Sequence, residues 1–575
     1  MFFSPILSWV PRLRPNRWDL MVFPLVIGGF FLLAWTAKQM AVPYVPGEVL
    51  PISLAPSALP EYALRTVLRM AVALVLSLLF TLGYATLAAK SRRAEKILVP
   101  LLDVLQSVPI LGFLSITVTG FIALFPGRLL GMELAAIFAI FTSQAWNMAF
   151  SFYQSLRTVP QELREVATVF RLTPWQRFWK LEVAYGMPAL IWNTMMSVSG
   201  GWFFVVASEA ITVAGHDVTL PGIGSYIALA IERKDLHAIA YAILTMFAVI
   251  LLYDQLLFRP LVAWADKFKF ELTEGQDRPS SWALKLLQRT RLFRRLMVLP
   301  AWLWELSLRW FPARARRQPR APLSAFVLAW QERLFAVVFA FAAVFAVLGI
   351  AHLVHAEVGW REAGHVFFLG MVTAIRVVVL VLLASLVWVP VGVWIGLNPR
   401  WAERVQPLAQ FLAAFPANLL FPLAVVLIVR FHLNVEIFTS PLMILGTQWY
   451  ILFNVIGGAA AIPGDLREAS RILGVGGWLW WRRVILPGIF PAFVTGAITA
   501  AGGSWNASIV AEWVSWGHTH LEATGLGAYI THWTAHGDLP RIALGISVMS
   551  LYVIVFNRVL WRRLYALAQQ RMRLD

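Results

Sequence analysis

The sequence predicts an all-α, polytopic membrane protein of about twelve transmembrane helices, arranged as two pseudo-symmetric six-helix halves. The first observation behind this is composition. The chain is 59% hydrophobic and 14% charged, with 27 Trp and 39 Phe, and its mean hydropathy is +0.70. A soluble chain of 575 residues needs far more surface charge. The second is that apolar stretches of roughly 20 residues, the length that crosses a bilayer, recur throughout. The third is a repeat. Glu165 and Glu468 stand 303 positions apart, and the same ungapped offset pairs Pro160 with Pro463, Arg164 with Arg467, Trp175 with Trp478, Trp202 with Trp505 and Glu209 with Glu512. Gly222, Gly224, Tyr226 and Asp235 then meet Gly525, Gly527, Tyr529 and Asp538. A fixed period means that one unit was built and repeated. Here the unit is half the chain.

Taken in order, the apolar stretches predict spans at about 19–38, 62–89, 97–124, 131–155, 185–212 and 237–262 in the first half. The second half gives about 333–355, 366–396, 403–430, 436–459, 484–512 and 539–562. The first span is too long, and too poor in small residues at its end, for a cleaved signal peptide, and it has a counterpart in the second half, so it is expected to be retained. Basic residues gather where cytoplasmic loops fall. Arg12, Arg14 and Arg17 precede the first span, Lys90, Arg92, Arg93 and Lys96 follow the second, and Arg562, Arg563, Arg571 and Arg573 follow the last. Both termini are therefore expected in the cytoplasm. The net charge of +18 belongs to this topology; no basic–aromatic groove pattern argues for nucleic acid.

The organisation is a first repeat at 1–263, a basic linker at 264–330 and a second repeat at 331–575. The linker carries Lys285, Arg289, Arg291, Arg294 and Arg295, then Arg314, Arg316, Arg317 and Arg320, interleaved with Trp282, Leu292, Phe293, Trp302, Leu303, Leu306 and Trp310. Leu303, Leu306 and Trp310 fit one helical face. An amphipathic basic helix on the anionic lipids of the inner leaflet is one reading; a solvated tether is the other. With no Cys in the chain, disulfides and thiolate chemistry are excluded. His237, His518 and His520 have no metal-ligand spacing.

After the tenth span the chain reads Ile462-Pro463-Gly464-Asp465-Leu466-Arg467-Glu468-Ala469-Ser470-Arg471-Ile472-Leu473-Gly474, and then Val484-Ile485-Leu486-Pro487. Pro463 suits a helix's first position, where its missing N–H costs nothing. Asp465 and Glu468 favour the positive end of the helix dipole. Ala469, Ser470 and Gly474 are small enough for another protein to approach the backbone. A short cytoplasmic helix of this kind is shaped for docking.

Glu468-Ala469-Ser470 with Gly474, Leu486 and Pro487 at this spacing resembles the Glu-Ala-Ala loop of ABC importer permeases, whose coupling helix sits in a groove of the ATP-binding subunit. The first copy keeps Glu165-Val166-Ala167 but has Arg171 for the glycine and Ala184 for the proline. Trp505, then Val510-Ala511-Glu512, Gly525-Leu526-Gly527 and Asp538, looks like the nitrate/sulfonate/taurine-type permeases, and the first half repeats this pattern. The resemblance covers roughly 62–262 and 366–562. It implies a type I importer fold with two permease domains fused in one bacterial inner-membrane chain, and alternating access driven by two ATP-binding subunits, a homodimer supplied in trans. It also implies a periplasmic or lipid-anchored binding protein that delivers a small anion of the sulfonate, nitrate or taurine class. No phosphate-cradling Gly-x-x-x-x-Gly-Lys-Ser/Thr loop is present, so ATP and magnesium belong to the partner, and this chain needs no cofactor and catalyses no reaction.

Candidate pathway residues come in pairs. Arg69 and Arg376 lie well inside their spans; they either face an interior cavity that attracts an anion or snorkel to the interface. Glu209 and Glu512, near the outer ends of the fifth and eleventh spans, line the periplasmic gate, contact the binding protein, or make a buried structural hydrogen bond within each half. Trp146 and Trp449 either line a path or pack the core. Two rivals from other classes are a twelve-span ion-coupled secondary transporter and a scaffold or channel subunit without a pumping cycle.

Overall fold

The structure, a computed structural model, describes residues 16–40, 42–43, 51–213, 216–268, 281–291, 298–310, 325–517 and 519–571. Arg12, Arg14, Leu292, Phe293, Arg294, Arg295, Arg314, Arg316, Arg317, Arg320, His518 and Arg573 lie outside the described residues. It is an all-α membrane architecture. Among the described residues eight helices are long and apolar enough to cross a membrane, or ten if each of two bent pairs is one span.

The predicted third span of each half is two helices. Arg92–Ser107 stops before Ile110–Leu124, and Pro399–Ala414 stops before a short turn and Phe421–Arg430. The break falls at Val108-Pro109 and at Phe415-Pro416. Proline has no N–H to continue the ladder and pushes its predecessor into the extended region; Val108 and Phe415 both adopt ψ 126°. Residues 435–460 bend by 45° between Leu445 and Gln448.

The fifth span of each half starts on a π turn, Phe178–Glu182 and Trp481–Ile485, before the long helices Val183–Glu209 and Leu486–Ala511. Each of those helices ends in a small antiparallel hairpin that the span assignment did not anticipate. β1 (Ala210–Val213) pairs with β2 (His216–Thr219), and β3 (Trp513–Trp516) with β4 (Thr519–Glu522). Short runs of β-branched and aromatic residues favour strands, and Gly517 turns the second hairpin at φ 59°.

The halves exchange helices. Ile110, Leu111, Leu114 and Val118 sit in one core with Ile509, Leu544 and Val548 of the second half, while Ala414 and Leu419 sit in the first-half core with Met195 and Trp202. The freed N–H of Ile110, at the broken third span, donates to Asn506 Oδ1 across the seam at 2.7 Å. On the other side Asn418 Nδ2 donates to the Phe203 carbonyl at 3.4 Å. Phe203 and Asn506 are themselves 303 apart. The seam is thus pinned beside both broken third spans, on one side by a backbone donor next to Pro109 and on the other by the Asn418 side chain.

Candidate functional site

Two short helices, Gln161–Val169 and Gly464–Ile472, occupy matching loops between the fourth and fifth spans. Pro160 and Pro463 cap them from one position earlier than the helix start. Both leave through a left-handed residue, Arg171 at φ 49° and Gly474 at φ 66°. In each, the next amide closes the turn: Leu172 N donates to Ala167 O at 3.0 Å, and Val475 N to Ser470 O at 2.9 Å. This is the usual left-handed helix exit. Arg171 therefore keeps the backbone path of a glycine, and Ala184 leaves the start of its span unchanged beside the Leu486-Pro487 counterpart.

The structure corrects which small residues are presented. Ala167 and Ser470 are buried against their own halves, and Ser470 Oγ donates to Arg467 O at 2.8 Å. Glu165, Val166, Glu468 and Ala469 are exposed. The most exposed apolar side chains here are Val169 at 80% and Phe170 at 73% in the first copy, and Ile472 at 79% and Leu473 at 77% in the second. Their identical spacing was readable from the 303-residue offset but not their exposure. A cleft of about 480 Å³ beside the first helix is lined by Arg157, Arg164, Glu165 and Arg177, among others.

A left-handed residue with a side chain carries a strain of about 1–2 kcal/mol that glycine avoids. Gly474→Ala is expected to lower stability by about that amount. Arg171→Gly should raise it by under about 1 kcal/mol, because glycine also adds unfolded-state entropy. Thermal unfolding of both variants in detergent reads the two signs; equal and like-signed shifts would contradict the shared geometry.

At the far end of the same spans Arg69 is fully buried, and each of its three side-chain nitrogens has an acceptor. Nε and Nη2 reach the two oxygens of Glu133 at 2.6 and 2.7 Å, Nη1 reaches Glu209 Oε1 at 2.6 Å, and Nη2 also reaches Pro221 O at 3.0 Å. Thr66 Oγ1 donates to Glu209 at 2.6 Å, and Gly224 N at 2.7 Å. The second half repeats this in more open form. Arg376 Nη1 reaches Glu512 at 2.7 Å and Nη2 reaches Glu436 at 2.8 Å. Thr373 Oγ1 and Gly527 N complete the Glu512 shell at 2.9 and 2.7 Å. There the Arg376 side chain is 11% exposed and that of Glu436 45%.

Arg69 thus neither faces a cavity nor snorkels in this conformation. It is the centre of a closed charge cluster that ties the second, fourth and fifth spans to the following loop. The glycines of the motif serve the same cluster: a Cβ at Gly222 or Gly525 would run into the Glu209 or Glu512 carboxyl. Tyr226 and Tyr529 anchor the next helix through Leu54 O and Glu362, and Asp235 and Asp538 cap the last spans. Glu133, Glu436, Thr66 and Thr373 were missed in the sequence.

Trp146 and Trp449 pack within their own halves, Trp146 edge-on to Phe80 at 5.4 Å and Trp449 against Trp388 at 4.9 Å. Between the halves the aromatic closure is made by other residues. Trp192 stacks on Phe453 at 5.2 Å, and the Tyr450 hydroxyl lies against Gly200.

The sequence profile of the family described as "Binding-protein-dependent transport system inner membrane component" matches this chain twice, at 80–259 and 388–574. The bicarbonate transport system permease protein CmpB of Synechococcus elongatus is 31% identical over 182 residues, which is 31% of this chain and 62% of the relative. The nitrate import permease protein NrtB of Leptolyngbya laminosa is 27% identical over 184 residues, or 32% and 62%. A putative ABC transporter permease of Methanocaldococcus jannaschii is 25% identical over 206 residues, or 36% and 74%. The match therefore spans less than two thirds of the length of the bicarbonate and nitrate relatives.

Proposed function

The chain belongs to the family of binding-protein-dependent transport system inner membrane components, and on that premise we propose that it is the fused two-domain permease of an ATP-driven importer. The cargo is a small anion; nitrate, bicarbonate and sulfonates are its class. Two ATP-binding subunits, holding ATP and magnesium, dock on Gln161–Val169 and Gly464–Ile472, and a periplasmic or lipid-anchored protein delivers the anion on the opposite side. The observation that carries this reading is the matched pair of short helices, 303 residues apart, each ending in two adjacent apolar side chains that are 73–80% exposed.

The mechanism follows from the connections of those helices. Each is followed by a four-residue helix, Pro174–Arg177 or Gly477–Trp480, and then by a π turn that opens a long span of its half. A π turn breaks the helical ladder locally, so it is the place where a push on the docking helix becomes a tilt of the span. When the ATPases close, the docking helices approach, the halves rock about the exchanged Ile110–Leu124 and Pro399–Ala414 segments, and the Trp192–Phe453 contact tightens. Hydrolysis reverses the tilt. On the outer side Arg376, held by a half-exposed Glu436, is the arginine that an arriving anion reaches first. Arg69 is sealed and holds the frame.

Reconstituted with its ATPase and binding protein, the chain is expected to accumulate anion only with ATP. Collapse of the proton gradient should leave uptake intact. Uptake that continues without the ATPase and follows the proton gradient would establish the ion-coupled alternative instead.

A further inference from the structure

The linker helix Val298–Trp310 has two apolar faces. Ala301 and Leu308 are buried against the first half, and Trp304 lies edge-on to Trp179 at 4.5 Å. Gln176 Nε2 donates to Leu308 O at 3.0 Å. Trp179 and Gln176 belong to the turns that join the first docking helix to its span. On nearly the opposite side of the helix, about 160° round at 3.6 residues per turn, Leu299, Trp302, Leu303 and Leu306 are 62%, 48%, 52% and 37% exposed. The second half has Arg482 where the first has Trp179, and its Trp478 stays 73% exposed.

Two observations say what covers that face. The preceding linker helix, Trp282–Arg289, is fixed to two spans: Arg289 O accepts from Asn16 Nδ2 at the start of the first at 2.8 Å, and Trp282 Nε1 donates to Gln255, in the π turn Asp254–Phe258 of the sixth, at 3.1 Å. The start of the linker is therefore held beside the start of the first span. Its charge is one-sided: residues 281–324 hold ten Lys or Arg and the single acid Glu305. A helix with an exposed Leu/Trp stripe inside a basic segment fits a surface of anionic phospholipid.

We propose that Val298–Trp310 is a lipid-reading strap: anionic phospholipid seats its outer face, and its inner face, through Trp304 and Trp179, fixes the first docking helix. The seating stands on the linker alone; only the effect on coupling rests on the importer reading. Only one of the two docking helices is lipid-controlled.

The chain has no cysteine, so Leu303→Cys carries a single nitroxide label in the full-length protein. In nanodiscs of phosphatidylcholine with phosphatidylglycerol the label should be accessible to oxygen and shielded from a water-soluble relaxant. In phosphatidylcholine alone the shielding should weaken. Soluble glycerol phosphate should not restore it. With the ATPase bound, phosphatidylglycerol should raise coupled ATP hydrolysis, each neutralised arginine of the linker raising the amount needed by about five-fold, and Trp304→Ala should remove the response while the label stays shielded. A label in water in both lipids, or one shielded only when the ATPase is added, overturns the seating and makes the face a protein interface. Normal seating with unchanged hydrolysis overturns the coupling alone.

Discussion

Arg69→Met is expected to be the most destabilising single substitution in the first half, and Arg376→Met a clearly milder one. Removing the guanidinium of Arg69 strands two carboxylates, Glu133 and Glu209, whose side chains are 1% and 0% exposed. Breaking a buried pair by removing one partner costs about 3–5 kcal/mol, a large share of the roughly 5–15 kcal/mol that holds a typical fold. Arg376→Met takes the cation from Glu512, but Glu436 is 45% exposed and keeps its hydrogen bonds from Thr524 N and Oγ1. Its loss should be smaller by one buried charge. Arg69→Lys should rescue little, because the fork that engages both oxygens of Glu133 needs a guanidinium. Thermal unfolding of the detergent-purified variants, followed by fluorescence, reads the order. Equal shifts for Arg69→Met and Arg376→Met would mean that the first cluster is not closed as described.

The same cluster shows what was legible in the sequence. Glu209 and Glu512 stood out because they share the 303-residue offset with the docking motif, and Arg69 and Arg376 because a charge deep in a span is rare. Their joining was not legible. From Thr66/Thr373 to Pro109/Pro416 the halves keep an offset of 307, and from Glu133/Glu436 onward one of 303. The first half thus holds four extra residues between the arginine and its partner acid, and a single ungapped alignment never sets both in register. The hairpins escaped because four-residue strands at the end of an apolar helix do not interrupt its hydropathy. The broken third spans were legible in principle, since Val108-Pro109 and Phe415-Pro416 disfavour helix, but apolar length outweighed that signal. Arg171 looked like a loss of the docking motif. Only the backbone shows that it adopts the glycine's conformation, because sequence identity does not report φ.

Ile472→Asp with Leu473→Asp, and Val169→Asp with Phe170→Asp in the first copy, are expected to uncouple the transporter without unfolding it. These four side chains touch little of their own chain, being 73–80% exposed, so stability and membrane insertion should hold. On the importer reading proposed above, they are the groups that would fill a groove of the ATPase. Full burial of one large aliphatic or aromatic side chain stabilises by about 1.5–3 kcal/mol. Losing two at one docking helix, with a carboxylate forced into the same space, should weaken ATPase association by at least about a hundredfold, at 1.4 kcal/mol per tenfold. Glu468→Trp, at an exposed position on the same helix, should obstruct docking sterically by a smaller factor. Two docking helices in one chain make the doubly substituted protein the decisive case: each single-site pair should leave one ATPase attached, and the combination none. Co-purification of ATPase with the variants, beside transport in the reconstituted system, measures this. If the combined variant retained both ATPases and coupled transport, those apolar tips would not be the docking contacts, and the reading of the two short helices as transmission elements would have to be abandoned.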